Sequence, residues 1–267
     1  MAMQPGHGSR GFFLTPQGKV RSYFNLWNPE PDSYAFEFEN GTAGKWKNTL
    51  LSLIDQYHFG EKITVADAVG IECRWIFGFG SESGHQIATQ TGVTICEHGA
   101  LEFGRPWTSI WGEASAIESW LARECPGAGA AASSSEEVEF WRIEALQPRM
   151  DSEVTENTIP LEIGLRDGVA ENKGCYPGQE VIEKILSYGA PSRRLSRIEG
   201  TGPAPNPVDR ILSKADPSVE IGAVTSVAGQ TGHFVALGFI KKLHAKEGTE
   251  ILAGSASGKI AKLAPYS

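Results

Sequence analysis

The sequence predicts an α+β protein whose C-terminal part is a small antiparallel β-barrel. Three observations carry this reading. Strands open the chain and are followed by an amphipathic helix and then another strand, the order expected when helices lie on one face of an antiparallel sheet. The 31 glycines and 15 prolines cut the chain into many short elements. Beyond Arg193 the texture becomes short strands between Gly/Pro turns with no helix among them, the pattern of a small barrel. The expected division is therefore residues 1–191 as an α+β domain and 192–267 as the barrel, with the boundary at Pro191-Ser192.

Gly11-Phe12-Phe13-Leu14 reads as a strand entering the turn Thr15-Pro16-Gln17-Gly18, with Pro second and Gly fourth. Val20 to Trp27 returns as a strand, and Asn28 to Asp32 turns again. Tyr34, Phe36 and Phe38 then share one strand face. Lys45 to Phe59 is a helix with Leu50, Leu51, Ile54 and Tyr57, together with Trp46 and Leu53, at helical period. Ile63 and Val65 begin a further strand; Val69 to Phe79 and Val93 to Cys96 are two more. Ala114 to Cys125 is helical and stops before Pro126-Gly127, and Ala128 to Ser135 is a small-residue loop. Ser134 and Glu137 have capping-box spacing and open a helix to about Leu146 that carries Trp141. The irregular stretch 148–172, with an extended piece at Ile159 to Ile163, is the kind of long loop that often carries function. Pro177 suits the first turn of a helix that runs to Tyr188 and is closed by Gly189. Leu195–Ile198, Ile221–Val227, His233–Lys241, Glu250–Leu252 and Lys259–Leu263 are the barrel strands.

Composition narrows the function. A net charge of −8 supplies no bulk electrostatic grip on nucleic acid, so no direct nucleic-acid partner is expected. Arg193, Arg194 and Arg197 form one local basic cluster, read either as an anion holder or as a solvated strand end. The N-terminal residues lack an apolar signal core and no run is long enough to span a bilayer, so the expected location is cytoplasmic, with no membrane partner. The six histidines show no metalloprotease or deaminase spacing, and there is no G-x-S-x-G element. Gly78-Phe79-Gly80 resembles a nucleotide loop, but no amphipathic helix follows it, so it reads as a turn.

Cys73, Cys96, Cys125 and Cys175 are scattered, which excludes a C-x-x-C zinc site and a cluster held by this chain alone. Cys175 is the candidate for chemistry. Gly174 and Pro177-Gly178 shape a tight turn around it, a helix begins just downstream, and Lys173 places an ammonium beside it. Helix N–H groups and a cation both favour a thiolate. A thiolate here serves as nucleophile, metal ligand or redox thiol; otherwise the residue is a small hydrophobe in a packed turn. Arg142 and Glu144, two apart on their helix, do not share a face, so one can turn inward while the other meets water.

Lys173 to Glu180, K-G-C-Y-P-G-Q-E, resembles the K-G-C-Y-x-G-Q-E signature of the folate-binding YgfZ proteins, in the superfamily of the glycine-cleavage T-protein. Arg142-Ile143-Glu144-Ala145 with Pro148 resembles that family's R-I-E-A-G-x-P, with Leu146 in place of the glycine. Glu156 to Pro160, the Leu14 to Val20 strand–turn, and Gly189 with Arg193 are similar to further family segments. The chain lacks the usual N-terminal stretch ending in G-Q-x-T-x-D, and no aspartate element of a true aminomethyltransferase is recognisable.

The resemblance implies T-protein-like α+β subdomains around a central channel, followed by the barrel. It implies tetrahydrofolate or a derivative as cofactor, Cys175 and Lys173 as the reactive pair, and Glu144 as the pterin-contacting carboxylate. Arg142, Trp141, Tyr176 and Gln179 join Glu144 as the expected cofactor-binding set, with no metal ligand. The implied role is a folate-binding accessory protein for iron–sulfur enzymes, one of which modifies tRNA. Its partners are folate and iron–sulfur client proteins. The alternatives are a tetrahydrofolate-dependent aminomethyltransferase and a family member that has lost folate.

Overall fold

The computed structural model describes residues 3–38, 43–80, 84, 86–99, 103–125, 132–170, 174–230 and 232–266. The chain divides into two compact units. The first comprises Met1–Gly11 and Phe24–Ser133, the second Phe12–Tyr23 and Ser134–Ser267. This differs from a cut at Pro191-Ser192. The chain from Ser134 onward falls with the barrel, and the division passes through the first two strands.

The first unit is built on a seven-stranded sheet in the order β3-β2-β1-β5-β6-β7-β4. Its strands are β1 (His7–Leu14), β2 (Val20–Glu30), β3 (Ser33–Glu37), β4 (Glu72–Phe77), β5 (Gln86–Gln90), β6 (Val93–Gly99) and β7 (Trp107–Gly112). Helix α1 (Ala43–Tyr57) buries Trp46, Leu50 and Leu53 of the predicted helical face, while Leu51 and Ile54 are half-buried and Tyr57 is exposed. Helix α2 (Ala114–Glu124) packs Ile117 and Trp120 onto Val93, Ile95 and Ile110.

Two sequence expectations fail in this unit. Ile63 and Val65 start no strand; they lie half exposed in an irregular segment. Strands β5 and β7 were not foreseen. β5 is polar except for Ile87 and Ala88, and β7 buries Thr108 and Ser109 where alternation leads one to expect apolar side chains.

The second unit contains α3 (Ser135–Glu144), α4 (Gln179–Tyr188) and a closed barrel in the order β10-β11-β8-β13-β12-β9. The barrel strands are β8 (Arg193–Thr201), β9 (Arg210–Ser213), β10 (Glu220–Gln230), β11 (His233–Lys241), β12 (Glu250–Ala253) and β13 (Ala256–Leu263). Closure leaves no free sheet edge. Its interior holds Ile198, Ile211, Ile221, Phe234, Ile251 and Ile260. Ser134 accepts from the Glu137 backbone and Glu137 bonds back to Ser134, so the predicted capping box opens α3. The extended piece expected at Ile159 to Ile163 is instead a short 3-10 turn over Pro160–Glu162, with Pro160 supplying the preset φ. Part of the expected Ala128 to Ser135 loop, residues 128–131, lies outside the described residues. Among the described residues no helix is long and apolar enough to cross a membrane.

Candidate functional site

The segment around Cys175 is held from below by a glycine contact. Gly178 caps α4 in the left-handed region, at φ 85°. A Cβ at this position would lie 2.6 Å from the Thr15 carbonyl oxygen and 2.7 Å from the Gly18 Cα. The signature therefore sits directly on the turn between β1 and β2, which the Gly18 N–H closes by donating to the Thr15 oxygen at 2.9 Å. On this base Cys175 is exposed, Tyr176 is half-buried, and the Gln179 side-chain amide donates to Glu183 at 2.6 Å. Pro177 stands just outside the helix rather than in its first turn. Lys173 lies outside the described residues.

The motif segment Glu156 to Pro160 meets the same turn. The Val20 N–H donates to the Thr158 oxygen at 2.9 Å, and Lys19 Nζ reaches Asn157 Oδ1 at 3.2 Å. Arg193 then joins the loop to the barrel. It pairs with the buried Glu162 carboxylate at 3.1 Å, donates to the Asn157 oxygen, and lies over the Phe239 ring. Of the basic cluster, Arg194 is bound to the Ala264 oxygen. Arg197 donates to the Glu144 backbone oxygen at 2.6 Å, where a cation complements the end of α3. All three arginines are thus committed to protein partners.

Arg142 and Glu144 part company as their spacing allows. Arg142 turns inward. It grips Glu139 with Nε and Nη2 and sends Nη1 to the Gln147 oxygen and to Glu153, a carboxylate with no exposed surface. Glu153 also accepts from Ser226 on β10 at 2.7 Å and from the Arg149 backbone. A buried charge needs such complete pairing. Burial would raise the Glu139 carboxyl, but Arg142, with Arg149 behind it, holds it below the ordinary carboxylate range. Glu144 is exposed, so the carboxylate that the pterin role would have buried faces water. Trp141 is half-buried.

The end of α3 explains the Gly-to-Leu departure. The Gln147 N–H bonds back to the Arg142 oxygen and the Leu146 N–H to the Ile143 oxygen, the Schellman closure. Its left-handed position falls on Leu146, at φ 63°. A leucine there is strained by about 1–2 kcal/mol, against which stands the burial of its side chain.

The remaining thiols are less open to chemistry. Cys96 is buried, and loss of hydration pushes its thiol up. Cys73 is exposed as a residue, but its sulfur turns toward Glu37 at 3.9 Å. Lost hydration, then the Glu37 charge, push its thiol up to about 12. Glu37 belongs to a buried polar group that the sequence did not reveal. It accepts from the Trp27 indole at 3.0 Å and faces His98 at 3.3 Å, while His98 also bonds Ser109 at 2.9 Å and stacks on Trp107. These residues come from four strands, β2, β3, β6 and β7, and no local spacing links them.

This architecture, a sheet-based α+β unit followed by a closed barrel, is that of the glycine-cleavage T-protein fold. A crystal structure of glycine cleavage system aminomethyltransferase T from Bartonella henselae superposes with a TM-score of 0.72 at 18% identity, covering 99% of this chain and 77% of that one. In sequence, the chain is 26% identical over 288 aligned positions to an Arabidopsis thaliana protein described as "Putative transferase, chloroplastic". The match covers 99% of this chain but 64% of the length of that relative. No protein-family model matches the chain.

Proposed function

We propose that this protein is a folate-binding accessory factor that supports assembly or repair of iron–sulfur enzymes, including one that modifies tRNA, with Cys175 as its working thiol. The observation that carries the reading is the exposure of Cys175 on a turn fixed by Gly178 against the β1–β2 turn. Three sequence segments that resemble the folate-binding family come together around that base. The fold of an aminomethyltransferase T supports the cofactor assignment.

The residues present fit tetrahydrofolate in part. The exposed Glu144 carboxylate is free to accept from the paired N–H groups of a pterin ring, and the half-buried Trp141 and Tyr176 offer aromatic surface. Arg142 does not fit a direct contact, because reaching a ligand would leave Glu139 and Glu153 without their cation. Its part is to hold the helix that carries Glu144. Bound tetrahydrofolate would supply a one-carbon-carrying nitrogen pair; the chain supplies a solvent-facing sulfur on a rigid turn.

Titration with folinic acid, followed by tryptophan fluorescence, tests the reading. A saturable change is expected, weakened in Glu144→Ala. A flat response up to millimolar ligand overturns folate binding. The second reading is transfer of an aminomethyl group to tetrahydrofolate, favoured by the transferase name of the Arabidopsis relative and the aminomethyltransferase name of the Bartonella protein. Turnover with a lipoyl-carried aminomethyl donor would establish it in place of the first.

A further inference from the structure

We propose that the segment 59–75 of the first unit is a self-recognition surface, through which two copies of this chain pair antiparallel about a two-fold axis at Asp67. Among the described residues, six of the nine exposed large hydrophobic side chains lie between Tyr57 and Ile71. Phe59 is 86% and Val69 88% exposed. Isolated exposed apolar residues are ordinary, whereas a concentration of them in one segment marks an interaction site. The segment leads directly into β4, the last strand of the sheet, which among the described residues pairs only with β7 and so offers an edge to a further strand.

The sequence identifies the occupant. Ile63-Thr64-Val65-Ala66-Asp67-Ala68-Val69-Gly70-Ile71 is nearly palindromic and alternates as a strand does. In an antiparallel pair centred on Asp67, Ile63 faces Ile71 of the second copy and Val65 faces Val69. Carried outward, the same register sets Lys62 opposite Glu72 and Phe59 opposite Trp75. Apolar therefore meets apolar, and the exposed cation meets an exposed anion. A two-fold interface demands this self-complementarity, since each residue meets its partner twice. The like charges at the axis are muted because each Asp67 carboxylate is held by Lys47 at 3.0 Å. The Val69 N–H to Asp67 oxygen bond and Gly70 at φ 77° form a local turn that straightens on pairing, and glycine permits the change.

Sedimentation velocity of the full chain, from micromolar to near-millimolar concentration, gives the first readout. A reversible shift from one chain mass toward two is expected; a single-chain species throughout overturns the proposal. Lys62→Glu should weaken the dimer about tenfold, because two symmetry-related pairs change from attraction to repulsion. Adding Glu72→Lys should restore it. Both side chains are exposed, and the surface pair of Glu72 with Arg74, which Glu118 also holds, contributes little, so folding is not at stake. A dimer indifferent to Lys62→Glu, or not rescued by the double change, overturns the register. As an independent check, Asp67→Cys with Cys73, Cys125 and Cys175 changed to Ser should form a disulfide to itself across the axis. Failure to cross-link at concentrations where the chain sediments as a dimer likewise overturns the register.

Discussion

Replacing Gly178 by alanine should destabilise the second unit, whereas the same change at Gly174, four residues away in the same signature, should not. An alanine at 178 must keep φ near 85° and place its Cβ 2.6 Å from the Thr15 oxygen. The left-handed backbone costs roughly 1–2 kcal/mol for a residue with a Cβ. The overlap is with backbone rather than with a movable side-chain tip, and relieving it adds about 1–3 kcal/mol of overpacking strain. The sum is about 2–5 kcal/mol. Among the described residues Gly174 has nothing within 4 Å of its Cβ direction, and its φ is not left-handed, so Gly174→Ala should stay within about 0.5 kcal/mol of the parent. Urea unfolding followed by far-UV circular dichroism measures both. If Gly178→Ala is as stable as the parent, or the two variants lose equally, then Gly178 is not what seats the cysteine turn on the β1–β2 turn.

Thiol reactivity should rank in the order of exposure and hydration. With its thiol pushed up to about 12, Cys73 is thiolate to only about one part in ten thousand at pH 8. Iodoacetamide labelling read by peptide mass spectrometry should therefore modify Cys175 well before Cys73 or Cys96, and equal rates would remove the case for Cys175. Acid stability should depend on Glu37. Burial raises its carboxyl, but the His98 charge and hydrogen bonds from His98, Ser109 and Trp27 prevail and hold it below its ordinary value of 4.5. A carboxyl lowered on folding contributes stability that is present above that ordinary value and is lost as pH falls through its folded value. Glu37→Gln should thus flatten the acid limb of stability against pH while lowering stability near neutrality. An unchanged acid limb would show that Glu37 does not drive it.

Local signals were the legible ones. The capping box at Ser134, the helical face of Trp46, Leu50 and Leu53, and five of the six barrel strands, all but β9, each arise from neighbours in sequence. The cysteine turn was legible for the same reason. Strand β7 was missed because Thr108 and Ser109 are buried by contacts to Phe79 and His98, partners that no local pattern reveals. The strand expected at Ile63 shows the converse error. The alternation is real, but a strand needs a neighbour, and among the described residues no strand pairs with Ile63 and Val65. At α3 the spacing of Arg142 and Glu144 allowed one to turn inward, but only the distant Glu153 and Ser226 decide that it is the arginine.

The candidate residues of the second unit divide by what they are bound to. Gly178, Asn157, Glu162 and Arg193 hold segments of the second unit to one another, and Arg142 and Gln179 are paired internally. The exposed chemistry is a thiol at Cys175 and a carboxylate at Glu144. Among the described residues no three His, Cys, Asp or Glu side chains converge on a point where a metal could sit. A single thiol can give an iron–sulfur cluster one ligand of the four it commonly takes. Under the accessory reading, Cys175 therefore acts at a surface shared with the client, which brings the remaining ligands. That demands a turn that does not yield when the client docks, and the fit of Gly178 into the β1–β2 turn provides it.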